Sequence, residues 1–109
     1  MTQEQKDLLL KDLCGRLPYG VKIQVNDRVE TLEGIGILDN VAEYGSFLSC
    51  DIEEVKPYLF PLSKIVEEIV YTSNKNIAVN VDFFHKNHID YRGHIEKGLA
   101  IDATGKNIY

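Results

Sequence analysis

A chain of 109 residues has the size of one domain, and folding at that length buries roughly two-thirds of the surface the unfolded chain exposes, enough for a core without staples. Hydrophobic residues at 44% and charged residues at 27% sit near globular averages and exclude disorder or low complexity as the main state. Seventeen acidic against twelve basic residues give a formal charge of -5, which disfavours a non-specific grip on nucleic acid while leaving a local basic patch open.

In chain order, Thr2 reads as an N-cap and Gln5 completes a capping box. Leu9, Leu10 and Leu13 follow as one apolar stripe, and Gly15 offers a left-handed stop, so an N-terminal helix is expected. Cys14 falls in its last turn and Cys50 in a later strand; both read as small buried hydrophobes without a disulfide between them. The N-terminus has no basic stretch ahead of an apolar run, and no apolar run approaches the ~20 residues of a membrane span, so a cytoplasmic protein without membrane association is expected.

After the connector Leu17-Pro18-Tyr19-Gly20, residues 21–26 alternate apolar and polar with the period of a strand, and Asn26-Asp27-Arg28 reads as a tight turn. Val29 to Leu38 is a second strand, bent or bulged at Gly34 and Gly36 in the manner that closes small barrels. Asp39 to Gly45 reads as loop. Residues 46–52 alternate again, with Phe47 and Leu48 competing for the inward face. Pro57 and Pro61 bracket Tyr58-Leu59-Phe60, and because proline cannot donate to a ladder this piece is expected to be an edge strand or extended segment.

Ser63 offers the N-cap of a short helix with Glu67 and Glu68 in its early turns, ending near Tyr71, and residues 72–76 form a polar linker. From Asn80 onward Val81, Phe84, His88, Tyr91 and Ile95 recur at helical spacing, and Gly93 and Gly98 divide the pattern into two short helices. The tail from Asp102 reads as an exposed turn with Ile108 and Tyr109 docking. These elements predict a single α+β domain over 1–109. It has an N-terminal helix, a curved antiparallel sheet of four or five strands that could roll into a small SH3-like or Sm-like barrel, and C-terminal helices.

All three histidines lie between Phe83 and Asp102. His85 and His88 have the spacing of a helical metal-ligand pair, and Asp82 stands three residues before His85. A site of these three ligands, with His94 or a water in the fourth position, would activate water, with Asp90 or Glu96 as base. No HExxH pattern accompanies them, and the simpler reading leaves His85 and His94 solvated and His88 against the aromatic face, with a partly buried histidine titrating near neutrality. Lys86, Arg92 and Lys97 around Tyr91 suggest phosphate contacts and base stacking, but Asp82, Asp90 and Glu96 interleave with them as in a solvated helix face. The pairs Glu53-Glu54 and Glu67-Glu68, the fragment Gly34-Ile35-Gly36 and a cysteine–histidine dyad carry weaker signals, and no GxSxG elbow occurs.

The strings KDLCGRLPYGVKIQV, DIEEVKPYLFPLS and DYRGHIEKGLAID, in that order, resemble a group of short uncharacterised proteins recurrent in phages, prophages and mobile elements of gut bacteria. The resemblance covers most of the chain and brings no activity, catalytic residue or cofactor with it. Its relatives typically carry an aliphatic residue where His94 stands, which implies a packing position and leaves His85 and His88 as the remaining metal pair.

The expected function is a non-enzymatic binding or adaptor protein of phage or mobile-element origin, using no cofactor and acting through protein contacts at Tyr58, Leu59, Phe60, Tyr91 and Arg92, with self-association left open. One alternative is a nucleic-acid-associated small barrel, which requires Lys22, Arg28, Lys56 and Lys64 to cluster. A further alternative is a metal-dependent enzyme using Asp82, His85 and His88.

Overall fold

The computed structural model describes residues 2–36, 40–45, 48–62 and 81–109, with backbone alone at 81 and 82. Helix α1 (Gln3–Arg16) starts at the expected capping box: Gln5 N–H donates to Thr2 Oγ1 at 3.1 Å and Thr2 N–H to Gln5 Oε1 at 2.9 Å. Leu9, Leu10 and Leu13 are buried.

Gly15 does not stop this helix. The chain continues through Arg16 into a 3-10 turn (Leu17–Tyr19), and Gly20, at φ +67°, supplies the left-handed residue. Gly15 serves close approach instead, because a Cβ there would lie 2.3 Å from Cε1 of the His85 ring.

Strands β1 (Lys22–Val25) and β2 (Arg28–Gly36) form the expected hairpin. Asn26 and Asp27 at φ +48° and +65° make a turn whose twist matches the strands. The register shifts between Leu32 and Gly34, placing a bulge where the glycines suggested one.

The expected loop at 39–45 contains a strand, β3 (Val41–Tyr44). It buries Ala42 and Tyr44 and exposes Glu43, an alternation too short to stand out between polar and glycine neighbours. β4 (Leu48–Asp51) pairs with it; Phe47 lies outside the described residues. Both cysteines are free. Cys14 is exposed because it lies off the Leu9–Leu13 stripe, and Cys50 is half-buried, its thiol pushed up by burial beside Glu54 and Asp51.

β5 (Lys56–Pro61) is not an edge strand. Its start pairs antiparallel with β1 through Gln24↔Lys56 and Ile23↔Pro57, and its remainder pairs in parallel with β7 (Ile101–Asp102) and β6 (Ile89–Asp90). Proline is tolerated because Pro57 stands at the end of the β1 ladder and Pro61 at the end of the strand. Just past Pro57 the Tyr109 hydroxyl takes over the cross-strand link, accepting from Lys22 N–H at 2.8 Å and donating to Tyr58 C=O at 2.6 Å. Burial pushes this phenol up to about 12. Tyr109→Phe is expected to lower unfolding stability by about 1–2 kcal/mol in urea titration; an unchanged midpoint would mean water replaces the hydroxyl without loss.

The sheet runs β4-β3-β2-β1-β5-β6, with β7 also on β5. Among the described residues it is thus a mixed sheet of seven strands with parallel pairs, where an antiparallel sheet of four or five was expected, and its path ends at β4 and β6 without closing as a barrel would. Leu9, Leu13, Val21, Ile23, Val25, Leu32, Ile52 and Leu59 form the heart of the core beneath α1.

The C-terminal helices reduce to α2 (Val81–Lys86) among the described residues. His88, at φ +58°, turns the chain out of the helix, and its carbonyl accepts from Phe60 N–H of β5. Asp90 then captures the N–H groups of His94 and Ile95, leaving a single turn closed by Gly98 at φ +76°. The helical spacing was real, but β5 and Asp90 satisfy the backbone groups a helix would have used. The helix expected at 63–71 and the linker at 72–76 lie outside the described residues. Among those described, no helix is long and apolar enough to cross a membrane.

Candidate functional site

Two polar residues share the buried stripe of α1. Asp12 and Arg16 fall at helical spacing with Leu9 and Leu13, so both are carried inside and are fully buried. Arg16 Nε donates to Asp12 Oδ2 at 2.8 Å, and Arg16 Nη2 donates to the Ile89 carbonyl of β6 at 2.6 Å. Arg92 brings its Nε to 3.3 Å from Asp12 Oδ1 and donates from Nη2 to the Tyr91 hydroxyl at 2.9 Å. Both guanidinium groups lie over the Tyr91 ring, at 5.5 and 5.0 Å, and Phe84 stacks on it at 5.2 Å. This network ties α1 to the segment 89–92.

The histidines serve packing at three separate places. His85 is buried over Gly15, with Nε2 2.9 Å from the Tyr91 hydroxyl, and is not the solvated residue expected. His88 has left the helix and stacks face to face on Tyr109 at 3.7 Å, so the helical spacing that would converge it with His85 on a metal is broken. Burial, with Arg16 and Lys22 nearby, pushes its imidazole down to about 4, well away from neutrality. His94, also expected in solvent, is instead fully buried with neither ring nitrogen hydrogen-bonded, and burial lowers it despite Asp12 and Asp90. Among the described residues no three of His, Cys, Asp and Glu gather as metal ligands; the Asp82 side chain lies outside them.

Of the residues expected at a partner surface, Tyr58 and Leu59 are buried at 6% and 0% exposure, because β5 has neighbours on both sides. Phe60 is half-buried with its ring 5.8 Å from Tyr109. Arg92 turns inward to Asp12. Tyr91 alone reaches an open feature, a cleft of about 230 Å³ lined by Pro61, Leu62, Asp90, Tyr91, Gly93, Ile95 and Glu96. The end of the proline-flanked strand and the Tyr91 segment do meet there, but through Pro61 and Leu62 in place of Tyr58 and Leu59.

The sequence reading missed Asp12 and Arg16, although two charges in step with Leu9 and Leu13 are a visible signal of a buried pair. It also missed Ile95 as a cleft wall, for which helical spacing gave no signal. Of the bases needed for a nucleic-acid surface, Lys22 and Lys56 share a sheet face through Gln24, whereas Arg28 pairs with Val25 on the other face; Lys64 lies outside the described residues. Lys22 Nζ is engaged by Thr31 Oγ1 at 2.5 Å.

No family model, curated protein or solved structure matches this chain.

Proposed function

We propose that the protein is a non-enzymatic binding module that acts through protein contacts at the cleft between the end of β5 and the turn 90–96. The cleft itself carries this reading. Its volume lies below the roughly 300–1,000 Å³ of pockets that enclose drug-sized ligands, so it fits one or two side chains of a polypeptide better than a cofactor or metabolite. Around it, two groups with catalytic potential are engaged in holding the fold, His85 on Tyr91 and Asp12 on two arginines. The resemblance of three strings to phage and mobile-element proteins is what suggests an adaptor role in such an element.

The test is affinity capture from the host cell followed by reconstitution with the purified partner. Leu62→Asp, in the cleft wall, is expected to weaken the complex by about tenfold or more, a loss typical of a residue near an interface centre. Val29→Asp and Leu48→Asp, exposed apolar positions on β2 and β4, are expected to leave it unchanged. The reverse pattern, or a complex indifferent to all three, would move the contact elsewhere.

A further inference from the structure

We infer that the cleft receives the cationic side chain of its partner, a lysine or arginine set beside apolar residues; this rests on the protein-contact reading above. Asp90 is 5% exposed and lines the cleft. Its two carboxylate oxygens accept from His94 N–H and Ile95 N–H, both at 2.9 Å, which fixes the anion in place without neutralising it. Among the described residues no cation lies within ion-pair distance of Asp90. The nearby guanidinium groups are directed at Asp12 instead. A buried carboxylate is stabilised when a cation completes it, and the occupant can supply one.

Glu96, exposed beside the cleft, adds a second carboxylate, and the overall charge of -5 favours the approach of a basic partner. Pro61, Leu62 and Ile95 supply apolar walls of the kind that cover the methylene stem of a long basic side chain whose head reaches the carboxylates. The ring of Tyr91 already carries Phe84 and two guanidinium groups, so charge recognition falls to Asp90 and Glu96 rather than to an aromatic face.

Four synthetic peptides that differ only in a central Lys, Arg, Gln or Glu between leucines test this on the intact chain, by amide chemical shifts and calorimetry at about 50 mM and about 500 mM salt. The Lys and Arg peptides are expected to shift the amides of residues 90–96, to bind about tenfold tighter than the Gln peptide, and to weaken with salt and in Glu96→Lys, whose exposed position leaves the fold intact. Equal binding of the Gln or Glu peptide would overturn the cationic occupant while leaving a protein contact at the cleft standing. Failure of either cationic peptide to move those amides at millimolar concentration would also overturn it. The protein-contact reading stands or falls separately, on the Leu62→Asp comparison.

Discussion

Asp12→Ala is expected to destabilise the protein by about 3–5 kcal/mol, the largest effect of any single substitution considered, because it strands two arginines on one buried site. Arg16 would lose its Nε partner in a position with no solvent exposure, where its Nη1 already has no hydrogen bond, and Arg92 would lose the carboxylate that draws it inward. The remaining link from Arg16 to Ile89 C=O does not compensate a charge. Urea titration at neutral pH is the measurement. Since a loss of this size can abolish folding, the double variant Asp12→Leu/Arg16→Met completes the test: removing both charges together is expected to recover much of the stability. A single variant losing less than about 1 kcal/mol would show that water reaches the pair.

Acidification from pH 7 to pH 5 is expected to cost up to about 2 kcal/mol through His88 alone, less where water wets the ring. Its imidazole is held down to about 4 in the fold against 6.5 for the free group, mainly by burial and then by the charges of Arg16 and Lys22. A lowered value means that the unfolded chain binds the extra proton, so this stability is complete above about pH 6.5 and is lost progressively as the pH falls toward 4. The whole shift corresponds to about 3 kcal/mol as an upper bound, less where water still wets the ring. His94 acts in the same direction: burial and the positive charges of Arg92 and Lys97 lower it, Asp12 and Asp90 oppose, and no acceptor awaits its proton. Urea midpoints across pH 7 to 5 should fall in the native chain and fall less in His88→Gln. A flat or rising profile would contradict the buried placement of both rings.

The elements fixed by local rules were legible in the sequence. The capping box, the Leu9–Leu13 stripe, the alternation of residues 21–26, the Asn26-Asp27 turn and the bulge near Gly34 depend on neighbours a few residues away, and each stands where expected. The site was less legible. Tyr91 lines the cleft while its ring is covered by Phe84 and two guanidinium groups, and Tyr58 and Leu59 were read as exposed because two prolines mimic a sheet edge. The extent of helix past Lys86 was over-read because a 3–4 spacing records which side chains can share a face, while the backbone donors decide whether a helix forms.

By itself the sequence determined an acidic α+β chain with a capped N-terminal helix, a leading hairpin and its chemistry concentrated between Phe83 and Asp102. Only the tertiary structure decided what that chemistry is used for. Long-range pairing placed β5 between β1 and the two short parallel strands, drew Asp12 and Arg16 under Tyr91, and separated His85 from His88 by turning the chain at a left-handed residue. Local spacing cannot encode such choices, because each depends on which distant backbone or charged group satisfies a buried polar partner.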